Sequence, residues 1–312
     1  MKTLAGGFLL LQEQQVRIGK RGTPLIDGHT SLYGFIADPA KHSLSPLIHN
    51  TSFQALSLNS VYLAFEVDQA HLADAVNAIR TLPILGANVS MPHKQAIIPL
   101  LDSVTETSQQ LGAVNTVINR DGRLIGDSTD GEGFLGALAD ADVAVKNQSI
   151  VVLGAGGAGR AIIAACARDG GHVTVFKRRN ATYESVSNRL ASWSGDITVR
   201  PYDDVGQMQA AVAAADIVVN TTNVGMAGEG DLPVPPEVLG QLHPGQVVAD
   251  AIYFPLETAL LRQARRQGCQ VLNGLGMLVH QAADSFQQWT GATMPIETVK
   301  KAVQQQLLNS TK

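Results

Sequence analysis

Six residues, Gly154-Ala155-Gly156-Gly157-Ala158-Gly159, constrain this chain more than any others because of what flanks them. Ser149 to Leu153 before them predicts a strand buried on both faces, and Arg160 to Arg168 after them predicts a helix with one small, apolar side. A strand that runs through a glycine turn into a helix N-terminus can cradle a pyrophosphate. The glycines allow a tight turn and close backbone approach, while the free N–H groups of the first helical turn meet the negative charge. A bare glycine pattern is weak. Between this strand and this helix it predicts a dinucleotide-binding unit.

The rest of the chain alternates in the same way. Leu32–Ala37, Val61–Val67 and Ile84–Val89 read as strands, separated by helices from Ser45 to Leu56 and from Gln69 to Leu82. Ser45-Pro46 opens the first of these, with serine expected as the N-cap and proline where a missing N–H costs nothing. Arg120-Asp121-Gly122 predicts a hairpin turn. After the glycine turn, strands are expected at Val173–Phe176, Asp216–Asn220, Val247–Ile252 and Val271–Asn273, with a helix at Thr258–Gln267 stopped by Gly268. Helices from Leu278 to Thr290 and from near Pro295 finish the chain. This pattern predicts a two-domain α/β fold. The N-terminal domain carries a mixed, mostly parallel sheet, and the C-terminal one a Rossmann-type, doubly wound parallel sheet. The expected division is 25–130 with 278–312 for substrate and 131–277 for NAD(P). Residues 1–24, whose short apolar run lacks a cleavage site, are expected to be a flexible extension.

At 312 residues both domains can bury a core, and a net charge of −4 gives no general attraction to nucleic acid or anionic membrane. A small molecule is the expected partner of a monomer or homodimer. Cys166 and Cys269 form neither a CxxC nor a metal-ligand spacing, which suggests a reducing, cytoplasmic setting. The eight histidines show no ligand spacing either, and no metal is expected.

An NAD site calls for an acid about 20 residues past the first glycine, to bond the ribose 2′-hydroxyl. Lys177-Arg178-Arg179-Asn180 stands there instead. Cations attract a 2′-phosphate, so NADP is the preferred cofactor. Asn180 keeps NAD open, because its amide can bond a ribose hydroxyl. Thr221, in the polar Asn220–Met226 loop, suits a segment lying along the cofactor.

On the substrate side, His42-Ser43-Leu44-Ser45-Pro46 sets two hydroxyls beside a helix start. Lys94, in Asn88-Val89-Ser90-Met91-Pro92-His93-Lys94, is placed in a first helical turn, where its charge opposes the macrodipole. That placement costs stability and suits a lysine that exchanges protons. The plain alternative is a lysine reaching out to water. Asp130, in Ser128-Thr129-Asp130-Gly131, stands at a strand-to-helix junction and could equally be a cap.

Together these segments resemble the shikimate dehydrogenase family, and more closely its quinate/shikimate branch. The match continues through Gly112-Ala113-Val114-Asn115-Thr116, Asp250-Ala251-Ile252-Tyr253-Phe254-Pro255 and Asn273 to Ala283. The resemblance implies oxidation of the C3 hydroxyl of shikimate or its quinate counterpart, or the reverse. It implies Lys94 and Asp130 as the catalytic pair, and Ser43 and Ser45 on the ring carboxylate. Ser90, Asn115 and Gln281 would meet the ring hydroxyls, and Tyr253 would border both substrate and nicotinamide. Gly154, Ala155, Gly156, Gly157 and Ala158 would hold the pyrophosphate. Lys177, Arg178, Arg179 and Asn180 would meet the ribose, with Ala251 and Gly274 lining the cofactor cleft. Ser90 stands where the shikimate enzymes usually carry threonine, and Asn180 where an acid in the quinate branch favours NAD. A sensor that kept the fold to bind shikimate or quinate is the alternative. It would have no need of both Lys94 and Asp130.

Overall fold

The computed structural model describes residues 26–226 and 230–310, so the expected extension at 1–24 lies outside the described residues. The first lobe runs β1 (Ser31–Ala37), α1 (Ser45–Ala55), β2 (Ser60–Glu66), α2 (Leu72–Thr81), β3 (Gly86–Val89) and α3 (His93–Ala96). It continues with β4 (Ser103–Val104), α4 (Glu106–Leu111), β5 (Thr116–Arg120) and β6 (Arg123–Asp127). Its sheet has the order β2-β1-β3-β5-β6-β4. β1 lies parallel to β2 and β3, whereas the β5–β6 hairpin is antiparallel to β3, which makes the sheet mixed.

α5 (Asp130–Ala139) leads into the second lobe. There follow β7 (Ser149–Leu153), α6 (Gly157–Arg168), β8 (His172–Lys177), α7 (Tyr183–Ala191), β9 (Asp196–Pro201), α8 (Val205–Ala214) and β10 (Ile217–Asn220). The lobe closes with α9 (Pro236–Leu239), β11 (Val247–Asp250), α10 (Ala259–Arg266) and β12 (Gln270–Leu272). Every pairing in its sheet is parallel, in the order β12-β11-β10-β7-β8-β9. That is the doubly wound order whose direction reverses between β7 and β10, and ligands bind beyond the carboxyl ends of strands at such a reversal. Ile150 to Leu153 are buried because helices cover both faces of β7.

α11 (Leu275–Thr290) and α12 (Ile296–Ser310) return to the first lobe. Leu275, Val279, Ala282, Phe286 and Trp289 of α11 join the first-lobe core, while Met277 joins that of the second. Each large apolar side chain fully buried here contributes about 1.5–3 kcal/mol. α5 crosses α11 at close range, and a Cβ on Gly133 would sit 2.7 Å from Gln281 Cβ. Only glycine permits that approach. The expected division at 277/278 falls inside α11, which begins at Leu275.

Three details depart from the sequence expectations. β4 and β9 are edge strands that no long apolar run announced; β4 spans two residues, and β9 is half exposed. Ser45 is not the cap of α1. Leu44 holds that place without a side-chain bond, and Ser43 Oγ accepts from the Ser45 N–H at 3.2 Å. α3 is four residues long, too short to give Lys94 much of a dipole to oppose.

Candidate active site

The loops after the strand carboxyl ends of both lobes border a cleft of about 980 Å³. Ser43 and Met91 line it from the first lobe, and Gly156, Arg178, Thr221 and Tyr253 from the second. Met91, Met226 and Phe254 are among the few large apolar side chains left exposed, and all three face this cleft. Apolar groups left in water around a polar groove mark a surface meant to be covered by a ligand.

Lys94 lies in α3, three residues after Met91, and its carbonyl is pinned by the Val114 N–H at 2.8 Å. Its Nζ donates to Asp130 Oδ2 at 2.6 Å, with side chains 22% and 11% exposed. The pair is partly buried, and neither residue is among those that line the cleft. Asp130 is the first residue of α5, where a helix N-terminus favours its negative charge, and Thr129 takes the capping place. Asn115 Nδ2 donates to the other carboxylate oxygen at 2.8 Å and lies 3.3 Å from Gln281 Oε1. Four of the expected residues, Lys94, Asp130, Asn115 and Gln281, therefore form one connected group.

The remaining substrate-side residues are less uniform. Ser43 lines the cleft with its oxygen already accepting, so its proton can be offered to a ligand. Ser45 is buried, and its hydroxyl bonds that of Tyr62. Ser90 is held by backbone bonds, its N–H to Ile36 and its carbonyl from His93, which leave the hydroxyl uncommitted among the described residues. Tyr253 lines the cleft, and burial raises its phenol pKa. His93 is buried against the Val67 carbonyl, and His280 pairs with Asp140.

In the second lobe the glycine turn has the tight, open backbone geometry that its spacing predicts. Gly154 has φ +98°, a left-handed conformation that favours glycine. A Cβ on Gly156 or Gly157 would meet nothing within 4 Å, so the backbone there lies open to a ligand. A Cβ on Gly159 would stand 2.6 Å from Thr221 Oγ1, so the third glycine keeps helix and strand close. Thr221 donates to the Leu153 carbonyl at 2.9 Å, tying the β10 loop to the turn. Gly274 donates its N–H to the Ile252 carbonyl at 2.9 Å, and a Cβ there would collide with the Ala251 carbonyl.

Of the three cations expected after β8, Lys177 and Arg178 line the cleft and Arg179 does not. Lys177 is buried, and its Nζ donates to Asn180 Oδ1 and Thr182 Oγ1, both at 2.9 Å. Burial first, and Arg178 second, lower its pKa. Arg179 turns to Asp203 at 3.2 Å and lies over the Tyr183 ring. Only Arg178 of the three is both exposed and on the cleft wall without a protein partner among the described residues. Asn180 also lines the cleft, its oxygen occupied by Lys177 and its amide N–H groups left for a ligand.

Several buried polar residues that shape the site escaped the sequence reading. Asp250 accepts from Asn220 Nδ2 at 3.0 Å, Thr258 Oγ1 at 2.8 Å and the Ile252 N–H at 3.1 Å, fixing the loop that carries Tyr253. Burial raises its pKa. Both Asn220 and Asp250 open segments already singled out, so their position was a usable signal. Asn88, Thr116 and Ser285 are buried next to Asn115; Asn88 and Thr116 lie inside motifs already singled out, whereas no local pattern marks Ser285. Among the described residues, no cluster of three or more His, Cys, Asp or Glu is placed to hold a metal, and no helix is long and apolar enough to cross a membrane.

Residues 35–117 match the model of the shikimate dehydrogenase substrate binding domain, and residues 274–304 that of the shikimate 5'-dehydrogenase C-terminal domain. Residues 131–252 match the C-terminal domain of alanine dehydrogenase/PNT. A shikimate dehydrogenase (NADP(+)) of Latilactobacillus sakei is 48% identical over 280 residues, spanning 87% of this chain and 96% of that protein. The chain belongs to the shikimate dehydrogenase family. Within that family, shikimate 5-dehydrogenase from Listeria monocytogenes, solved with shikimate and NAD, matches with a TM-score of 0.85 and 39% identity, over 91% of this chain and 99% of that one. Quinate dehydrogenase from Corynebacterium glutamicum, solved with NAD, gives 0.79 and 30% over 88% and 99%. The two-domain plan read from the sequence is the plan of these enzymes.

Proposed function

We propose that this protein is a dehydrogenase that interconverts the C3 alcohol of shikimate and its ketone with NADP(H), quinate being a second substrate and NAD(H) a weaker cofactor. The observation that carries the reading is the Lys94–Asp130 ion pair at 2.6 Å, in the same molecule as an open glycine cradle at a strand-order reversal. A binding-only sensor has no use for such a pair.

The residues divide the work by their chemistry. Ser43, joined by Ser45 when its hydroxyl turns from Tyr62, holds the ring carboxylate as a neutral donor. Asn115, Gln281 and Ser90 fix the ring hydroxyls and so the face that reacts. Lys94 takes the C3 hydroxyl proton during oxidation and returns it during reduction, a general acid–base role worth about 10²–10⁴ in rate. Asp130 holds the lysine at the reacting oxygen and balances its charge. The backbone of Gly154 to Ala158 fits a pyrophosphate, and Arg178 with Asn180 fits a phosphorylated ribose. When bound, NADP supplies the hydride acceptor or donor at the carbinol carbon. Tyr253, Ala251 and Gly274 border that place.

All the residues named come from one chain, so a monomer or homodimer would carry complete sites. Cys166 and Cys269 are both free and buried, in keeping with a cytoplasmic location. The test is a steady-state comparison of shikimate and quinate, each with NADP and NAD. Shikimate with NADP is expected to give the highest kcat/KM. No turnover with either acid and either cofactor would refute the reading.

A further inference from the structure

Beneath the Lys94–Asp130 pair runs a buried chain of hydrogen bonds between residues far apart in sequence. Asn88 on β3 stands directly opposite Thr116 on β5 in the antiparallel register. Its Oδ1 accepts from the Tyr62 hydroxyl at 2.8 Å and lies 3.1 Å from His49 Nε2, so its Nδ2 must face the other way. There it donates to Thr116 Oγ1 at 3.3 Å and Ser285 Oγ at 3.0 Å. Those two hydroxyls lie 2.7 Å apart, and both residues are 0% exposed. Thr116 then donates to Asn115 Oδ1 at 2.9 Å.

The sense of the Asn115 amide is fixed by a group that can act in one way only. The backbone N–H of Thr129 can only donate, and it meets Asn115 at 2.9 Å, so the Asn115 atom there is the oxygen. The Asn115 nitrogen is thereby aimed at Asp130 Oδ1, 2.8 Å away. Ser285 Oγ meets Thr116 Oγ1 at 2.7 Å, a contact across which either hydroxyl can donate, and it also reaches the Gln281 carbonyl at 3.1 Å. Asn88 Nδ2 also reaches the Asn115 carbonyl at 3.2 Å, so removing the Thr116 hydroxyl orphans no donor there. A buried pair of hydroxyls that the fold could lose at small cost is used to steer an amide onto the carboxylate of the proton-exchanging pair.

We propose that Thr116 and Ser285 are positioning residues for the reaction: they hold the Asn115 amide in the orientation that donates to Asp130 beside Lys94. The proposal rests on the reading of Lys94 and Asp130 given above. Among the described residues, the charged group bonded to Asp130 is Lys94, while the neutral amides of Asn115 and Gln281 come from the residue before β5 and from α11. Loosening Asn115 lets the Lys94–Asp130 pair shift away from the reacting oxygen, which should lower kcat more than it raises KM for shikimate.

The experiment measures kcat and KM of shikimate oxidation for the parent, Thr116→Val, Thr116→Ser and Ser285→Ala, alongside NADP affinity and thermal melting. Thr116→Val is expected to lose kcat by roughly tenfold, to change KM for shikimate far less, and to bind NADP about as tightly as the parent. Thr116→Ser keeps the hydroxyl and should recover most of the kcat, with Ser285→Ala falling between. Parent kcat in Thr116→Val would overturn the proposal, as would equal impairment of Thr116→Ser. Should Thr116→Val fail to melt cooperatively, Ser285→Ala decides by the same readouts. An inactive parent would instead refute the functional reading, so the two failures are distinguishable.

Discussion

The glycine turn after β7 and the Lys94–Asp130 group, one in each lobe, are built from different material. The turn presents backbone: a left-handed Gly154, two glycines open to the cleft, and a third that lets α6 pack close. The Lys94–Asp130 group presents side chains drawn from α3, α5, α11 and the residue before β5. A backbone site depends on what is missing, namely Cβ atoms. A side-chain site depends on partners that hold each group in place, here including the fully buried Thr116 and Ser285. The first tolerates little added volume; the second tolerates little lost hydrogen bonding.

That contrast predicts which kinetic constant each lobe controls. Gly156→Val would fill the open cradle, and NADP affinity is expected to fall by about 100-fold, as the loss of close pyrophosphate contacts would give. Shikimate affinity, measured by protection against thermal melting, should stay near the parent value. Equal loss of both affinities would erase the distinction between the lobes. Arg178→Ala should raise KM for NADP by about tenfold through the lost charge-assisted contact, and leave KM for NAD unchanged. An unchanged NADP preference would remove Arg178 from phosphate recognition.

The smallest effect concerns the helix pair that joins the lobes. Asp284 on α11 has its pKa pushed up to about 6, first by burial and then by Glu132, with a further contribution from Asp127. A carboxyl whose folded pKa is raised binds its proton more tightly when folded. It favours the fold at low pH, and that advantage is lost as pH rises from the unfolded value near 4 through about 6. Asp284→Asn should therefore raise Tm at pH 8 by a few degrees, on the order of 2–4 °C. At pH 4 it should change Tm little. A larger gain at pH 4 than at pH 8 would contradict the assignment.

The same contrast explains what could be read in advance. Gly154, Gly156 and Gly159 lie within six residues of one another, and their spacing reports backbone geometry directly. The β–α alternation likewise made both lobes legible, because buried strands carry unbroken apolar runs. β4 and β9 carry none, being edge strands. Lys94 and Asp130 were singled out in their motifs, and Asn115 and Gln281 through the family resemblance. Their mutual contacts were not legible, since Asn115 and Gln281 meet across 166 residues. Charge after β8 was legible as composition but not as direction: Arg179 turns to Asp203, and Lys177 is buried against Asn180 and Thr182. Asn88, Thr116 and Ser285 become significant only once β3, β5 and α11 are packed together.

The account rests on Lys94 as the group that moves the hydroxyl proton. Its most direct test is turnover of shikimate by Lys94→Ala, with NADP affinity measured on the same preparation. The expected result is a kcat lower by about 10³-fold with NADP affinity unchanged. Turnover within tenfold of the parent would contradict it.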